Sequence, residues 1–225
     1  MLPALILTVI AQVMVKTAYN KYSSVTNSRG ITGAQAAETM LRNAGITGIR
    51  IEQISGNLTD NYSPKEGVIR LSQGVYDGRS IAAVGIACHE VGHAIQYDVG
   101  YGPIKLRNTI IPLTNIGSRI GIALIILSII MAAISETLYQ YADTVLIIGI
   151  ILYSLIVVFQ LITLPVEFDA SRRAMQNIRS SGLLTDSECV GARKVLTAAA
   201  LTYVAALIYA VMQVLYYVSL ANRRR

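Results

Sequence analysis

Four long stretches without a charged residue constrain the fold of this chain more than any other feature of its sequence. They cover residues 1–15, 120–135, 144–166 and 195–222, and the apolar run of the second stretch begins near residue 110. A helix needs about 20 apolar residues to cross a bilayer, so the last three stretches predict transmembrane helices. Residues 1–15 predict an N-terminal membrane helix, either a short or tilted span or a helix in the interface.

The composition points to the same class of protein. Only 14% of the residues are charged, whereas a soluble domain contains about 25%. The net charge is +6, but the basic residues border the apolar stretches instead of forming one patch. Such cations mark the ends of membrane helices, so we expect a multi-pass protein of the plasma membrane in contact with lipid, and no nucleic-acid partner.

Two polar segments separate the apolar stretches. The predicted organisation is an N-terminal membrane helix (1–15), a polar region (16–108), two transmembrane helices (109–166), a second polar segment (167–194) and a C-terminal transmembrane helix (195–222). The fold class that follows is a mainly α-helical integral membrane protein with one small polar domain.

The first polar region combines signals for helices and strands. Thr32 and Gln35 form a capping-box pattern that opens a short helix. Apolar and polar residues alternate at 49–51 and at 69–71, which predicts short strands. A further helix begins at Ser80 and continues to about residue 97. This region is therefore predicted to be a small α+β domain.

The predicted helix 80–97 contains the motif HExxH, as His89-Glu90-Val91-Gly92-His93. Residues four apart lie on one face of a helix, so both imidazoles can hold one zinc ion. Glu90 can take a proton from the zinc-activated water and later give it to the leaving amine. The chain has two histidines and both are in this motif. The pattern therefore predicts a zinc-dependent endopeptidase acting on polypeptides.

A catalytic zinc needs a third protein ligand, and a carboxylate must provide it because no histidine is left. Glu167 is the best candidate. Two predicted spans separate it from His93, so the chain crosses the membrane, returns, and brings Glu167 to the face that carries the motif. Asp169 is the alternative nearby.

Several other residues are candidates for supporting roles. Ser171 lies one turn after Glu167 and could hold a ligand imidazole. Tyr62 and Arg172 could donate to the oxyanion of the transition state. An edge strand could bind an extended substrate by strand pairing, and the residues predicted for it are Val68, Ile69, Arg70 and Leu71.

Four segments of the sequence resemble one family. The segments 79–96, 100–107 and 164–174, together with the strand at 69–72, resemble the YugP-type neutral zinc metallopeptidases of bacterial membranes. The resemblance extends over nearly the whole chain. More distantly, the sequence is similar to the HtpX-like gluzincins.

This resemblance implies a zincin-like catalytic domain and one zinc ion per chain. It implies His89 and His93 as ligands, Glu90 as the general base and Glu167 as the third ligand. The HtpX-like pattern has an aspartate four residues after the ligand glutamate, where this chain has Ser171. The resemblance does not indicate the natural substrate or the oligomeric state.

The charge distribution predicts an orientation. Basic residues lie near the spans on the predicted active-site face, among them Lys16, Lys21, Arg193 and Lys194. The positive-inside rule therefore predicts a cytoplasmic active site, although three arginines at 223–225 lie on the opposite face. Two cysteines, at 88 and 189, are predicted to be reduced thiols, which suits the cytosol.

Two other functions stay open from the sequence. The first is an intramembrane protease of the site-2 class, since residues 81–88 are apolar, although Arg79 and Asp98 bracket that helix closely. The second is a non-enzymatic membrane scaffold whose metal is structural or absent. A structural zinc usually has four protein ligands, and the sequence offers three.

Overall fold

The computed structural model describes residues 2–134 and 136–223. It is mostly helical, with one small sheet, as the sequence predicted. The elements in chain order are α1 Leu2–Ser23, α2 Gly33–Asn43, β1 Arg50–Ile54, β2 Asn61–Ser63, β3 Val68–Ser72, α3 Gln73–Tyr76, α4 Ile81–Asp98, α5 Gly102–Ile134, α6 Glu136–Ser180 and α7 Asp186–Asn222.

Four helices, α1, α5, α6 and α7, are long and apolar enough to cross a membrane. Each of these helices also includes residues outside the charge-free stretch that predicted it. α6 runs without interruption through Pro165 and Glu167 to Ser180, so the second polar segment, predicted to begin at residue 167, continues the helix of the preceding span. The first charges after residue 166 end the apolar stretch, but residues such as Ala170 and Ala174 continue the helix.

The sheet has three strands in the order β1–β3–β2. β1 pairs with β3 in parallel, and β2 pairs with β3 antiparallel, with Tyr62 opposite Ile69. The prediction of an edge strand at Val68, Ile69, Arg70 and Leu71 is therefore wrong. β3 is buried at four of its five positions and has a partner on both sides. The two edges of the sheet are β1 and β2.

The chain forms two compact units. The second unit contains residues 10–104 and 164–202, and therefore the sheet, α2–α4 and parts of the four long helices α1, α5, α6 and α7. Its core is made of buried aliphatic side chains, among them Met40, Leu71, Val84 and Ile178. The capping box that begins α2 is present, since Thr32 and Gln35 exchange side-chain to backbone hydrogen bonds.

The first unit contains residues 105–163 together with the two ends of the chain, up to residue 9 and from residue 203 onward. Its α5 and α6 approach closely at two glycines. A Cβ on Gly121 would lie 2.6 Å from the backbone nitrogen of Tyr153 and 2.8 Å from the carbonyl oxygen of Gly149. Only a residue without a side chain allows this approach, and large aliphatic side chains elsewhere on these helices are exposed.

Candidate metal centre

The helix α4 carries both histidines. Ser80 caps its first turn, because the Ser80 hydroxyl accepts a hydrogen bond from the Ala83 N–H at 3.1 Å. Small residues then let neighbouring helices approach. A Cβ on Gly92 would lie 2.5 Å from the carbonyl oxygen of Ala170, so α4 and α6 touch at their backbones. Since Glu167 lies one turn before Ala170, this contact brings Glu167 beside the two histidines.

Three potential ligand atoms converge at this point. The Nε2 atoms of His89 and His93 lie 3.3 and 3.6 Å from the same carboxylate oxygen, Oε2 of Glu167. One ligand atom from each of the three residues lies within 4.8 Å of the others. Glu167 is buried and both imidazoles are largely buried. This is the one group of three or more potential ligands found in residues 2–134 and 136–223.

The side chain of Gln96 determines which ring nitrogen of His93 carries the proton. The Gln96 amide nitrogen donates to the carbonyl oxygen of Val166 at 2.8 Å and to the Asp169 carboxylate at 3.0 Å. Both partners only accept hydrogen bonds, so the orientation of the Gln96 amide is determined. Its Oε1 then faces Nδ1 of His93 at 3.1 Å and accepts that proton. The Nε2 lone pair of His93 is therefore directed at Glu167.

Gln96 was not among the site residues predicted from the sequence. The available signal was its spacing, because a side chain three residues after His93 lies on the same helix face. The structure adds that Gln96 is fully buried, and a buried amide needs hydrogen-bond partners.

His89 has a neighbour of its own. The hydroxyl of Ser171 lies 3.1 Å from His89 Nδ1. A hydroxyl can accept the Nδ1 proton and leave Nε2 free for a cation. The Nδ1 atoms of the two imidazoles thus contact different groups, a hydroxyl for His89 and a side-chain amide for His93.

Glu90 is buried, with 8% of its surface exposed. Burial raises the pKa of its carboxyl group, while the neighbouring His89 and His93 lower it and the carboxylate of Glu167 raises it further. Glu90 therefore belongs to the same electrostatic cluster as the three potential ligands. Burial lowers the pKa of His93, but its hydrogen bond to Glu167 and the charge of Glu90 raise that pKa above its ordinary value. The cluster therefore attracts a cation.

The other predicted residues lie in different surroundings. Asp169, the alternative third ligand, does not join the cluster. It accepts hydrogen bonds from Gln96, Arg172 and Arg173. Arg172 is thus paired with Asp169, and its side chain is 60% exposed. Tyr62 lies on β2, with its ring edge-on to that of Tyr97 and the centroids 5.6 Å apart.

The geometry of the cluster fits zinc. Two ligand atoms, each about 2.0–2.1 Å from zinc at tetrahedral angles, lie about 3.4 Å apart. The separations of 3.3 and 3.6 Å between the histidine Nε2 atoms and Glu167 are close to this value, and the three ligand atoms all lie within 4.8 Å of one another. The donor set of two imidazoles and one carboxylate also matches that of known catalytic zinc sites. A cation among these three atoms would be within reach of all of them.

Comparisons with known proteins agree with this chemistry. Residues 1–222 match a protein family described as "Putative neutral zinc metallopeptidase". A protein of Bacillus subtilis (strain 168), "Putative membrane protease YugP", is 44% identical over 208 residues, which cover 92% of this chain and 88% of the relative. No solved structure shows a significant match. By its sequence over nearly its whole length, the chain belongs to the family described as "Putative neutral zinc metallopeptidase".

Proposed function

We propose that this chain is a membrane-bound zinc endopeptidase of the gluzincin type, with a zincin-like catalytic domain formed by the sheet and α4. The observation that carries the proposal is the convergence of His89 Nε2 and His93 Nε2 on one oxygen of Glu167. Its support from comparison is the family of zinc metallopeptidases to which the chain belongs.

In this proposal, one zinc ion per chain is held by His89, His93 and Glu167. When bound, zinc polarises the scissile carbonyl and lowers the pKa of a water molecule to about 7. Glu90 accepts the proton of the attacking water and delivers it to the nitrogen of the leaving amine. Ser171 and Gln96 hold the two imidazoles in orientation.

In this proposal the substrate pairs with β2 and not with β3, because β3 already has a partner strand on both sides. β2 is short, and its backbone at the free edge can pair with an extended polypeptide. Tyr62 is on this strand. It is a better candidate than Arg172 for donating to the oxyanion, because Arg172 is already paired with Asp169.

We place the enzyme in the plasma membrane with its active site on the cytoplasmic face. The relative from Bacillus subtilis is described as a membrane protease, and four helices are suited to crossing a bilayer. Cations border the apolar stretches near the catalytic residues. Cys88, next to His89, is buried, and burial raises its thiol pKa to about 12, so it would remain a neutral thiol.

The decisive experiment separates catalysis from metal binding. We expect wild-type protein to contain zinc and to degrade an unfolded test protein such as casein. The variant Glu90→Gln should retain the zinc and lose cleavage by at least about a thousandfold, since water activation and proton delivery both fail. Glu38→Gln, which removes an exposed carboxylate from α2, is the control and should cleave like wild type. Undiminished cleavage by Glu90→Gln would refute the mechanism.

The same protein distinguishes the alternatives. An intramembrane protease needs its HExxH helix in the bilayer, but α4 is not among the four helices of residues 2–134 and 136–223 that suit a span. We therefore expect a cysteine introduced at Tyr97 to react with a water-soluble reagent, whereas protection would favour intramembrane cleavage. Metal analysis without stoichiometric zinc would favour the scaffold.

A further inference from the structure

A surface groove between α1 and α7 lies apart from the metal cluster and is not used by the proposed catalysis. Its volume is about 520 Å³. Basic side chains line one end, Lys21 from α1 and Arg193 and Lys194 from α7. The rest of the lining is mainly apolar and includes Val13 and Leu201. We call this feature the α1–α7 groove.

Polarity is ordered along the groove. On α1, Val13 precedes Lys21 by eight residues, or about 12 Å of helix. On α7 the order is reversed, and Lys194 precedes Leu201 by about 10 Å. The helices pack closely at the basic end, because a Cβ on Gly191 would lie 2.7 Å from the ring of Tyr22. Charged and apolar ends therefore coincide on both walls.

The cations of the groove are not neutralised by the protein. Lys21, Arg193 and Lys194 are all exposed. The lining contains no carboxylate, and within residues 2–134 and 136–223 none of the three makes an ion pair with an acidic side chain. Lys21 Nζ lies 5.6 Å from the ring centroid of Tyr22, a contact that leaves its charge available. The basic end of the groove is therefore suited to binding an anion.

The position along the chain indicates which kind of anion. The charge-free stretch 195–222 begins directly after Arg193 and Lys194, and the charge-free stretch 1–15 ends six positions before Lys21; both belong to helices suited to a membrane. The basic end thus lies at the level of lipid headgroups, and the apolar end lies at the level of acyl chains. Both walls are helical, so their backbone groups are already paired. An extended peptide would leave its own N–H and C=O groups unpaired there, whereas an acyl chain has none.

We propose that the α1–α7 groove binds an anionic glycerophospholipid. Its phosphate lies between Lys21, Arg193 and Lys194, and an acyl chain lies along Val13 and Leu201. Phosphatidylglycerol is the test ligand, and phosphatidylcholine, with the same acyl chains but no net charge, is its neutral counterpart.

The test measures lipid binding and does not depend on peptidase activity. Purified full-length protein in detergent is titrated with dioleoyl phosphatidylglycerol or dioleoyl phosphatidylcholine, and bound lipid is counted by native mass spectrometry. A basic residue near an anionic lipid contributes about fivefold in affinity. The triple variant Lys21→Gln, Arg193→Gln, Lys194→Gln should therefore lose about a hundredfold in affinity for phosphatidylglycerol.

A matched variant excludes a simple effect of net charge. Lys16→Gln, Arg42→Gln and Lys65→Gln together remove the same charge from exposed positions outside the groove lining, and this protein should bind phosphatidylglycerol like wild type. An unchanged thermal transition shows that both triple variants are folded. An equal loss in the two variants would overturn the proposal, and so would a groove variant that still prefers phosphatidylglycerol.

A second variant tests the apolar half of the groove while keeping its charge. Thr17 lines the groove on an exposed position of α1, and Thr17→Trp should fill the path of the acyl chain and weaken phosphatidylglycerol binding about tenfold, by the loss of buried methylene groups. Inorganic phosphate should compete poorly, because it lacks that chain. Unchanged binding by Thr17→Trp, or competition by phosphate at the concentration at which the lipid competes, would overturn the assignment to a phospholipid.

Discussion

The two compact units of this molecule achieve close packing by different means. In the first unit, Gly121 and Gly149 bring α5 and α6 together at their backbones while aliphatic side chains face outward. In the second unit, small residues also admit backbone contact, at Gly92 and Ala170, but here the contact positions polar side chains. Buried Glu167 and Gln96 have partners for their polar atoms.

A close contact between helices has a different consequence in each of the two units. In lipid, a small-residue contact contributes packing alone, because the hydrophobic effect does not drive helices together there. In the second unit, the same kind of contact sets the distance between a carboxylate and two imidazoles. Changes in the second unit should therefore alter zinc binding, and comparable changes in the first unit should alter stability alone.

The largest expected effect comes from removing the carboxylate. Glu167→Ala should weaken zinc binding by more than the roughly 100-fold upper range found for partners outside the ligand shell, with loss of peptidase activity. The control is Glu136→Ala, at the opposite end of the same helix, which should retain zinc. Competition with a zinc-sensitive chelating dye measures both affinities. Equal zinc affinity in the two variants would contradict the expectation that only changes in the second unit alter zinc binding.

A paired glycine substitution tests the contrast directly. Gly92→Ala would drive a methyl group against the Ala170 carbonyl, and Gly121→Ala would do the same against Tyr153 and Gly149. Each should destabilise the protein by about 2 kcal/mol through overpacking, visible as a lower thermal transition. Only Gly92→Ala should also weaken zinc binding, by about tenfold or more. Zinc loss from both variants, or from neither, would contradict the assigned role of the Gly92 contact.

A smaller effect is expected from the amide that orients His93. Gln96→Leu leaves the buried carboxylate of Asp169 and the His93 Nδ1 proton without this partner. Zinc affinity should fall about 10- to 100-fold, as for other partners of ligand histidines. Gln12→Leu, at an exposed position of α1, is the matched control. A zinc titration that does not distinguish the two variants would show that Gln96 has no positioning role.

The smallest effect is expected at Ser171. Its hydroxyl makes one neutral contact with His89, and a neutral hydrogen bond contributes about 0.5–1.5 kcal/mol. Ser171→Ala should therefore weaken zinc binding about threefold to tenfold, less than Gln96→Leu. Ser180→Ala, at the end of the same helix, should change nothing. A larger loss for Ser171→Ala than for Gln96→Leu would reverse the order derived from the two hydrogen-bond networks.

Much of the local structure was predictable because its causes are local. The capping box at Thr32 and Gln35 begins α2, and Ser80 begins α4 as expected. The alternating segments became β1 and β3, whereas β2, at 61–63, formed outside those segments. The strand order escaped prediction, because alternation shows which face is buried and not which strand is the neighbour.

The end of an apolar stretch proved a poor guide to the end of a helix. Charge-free residues 144–166 predicted a span, but α6 continues to Ser180 because helix propensity does not end where hydrophobicity does. This continuation has a structural consequence. Glu167 and Ser171 lie on the same helix, so helical spacing fixes them relative to each other.

The sequence by itself determined that four apolar helices would form, and that His89 and His93 would share one face of a helix, since both depend on short-range spacing. Only the tertiary structure decided between Glu167 and Asp169 as the carboxylate that meets those imidazoles, which strand would lie at the centre of the sheet, and that Gln96 would link His93 to Asp169. At the metal cluster the physical reason is that the contacts between α4 and α6 join residues about 70 positions apart, as Gln96 and Val166 do. Their geometry depends on how closely whole helices approach, here through the missing side chain of Gly92.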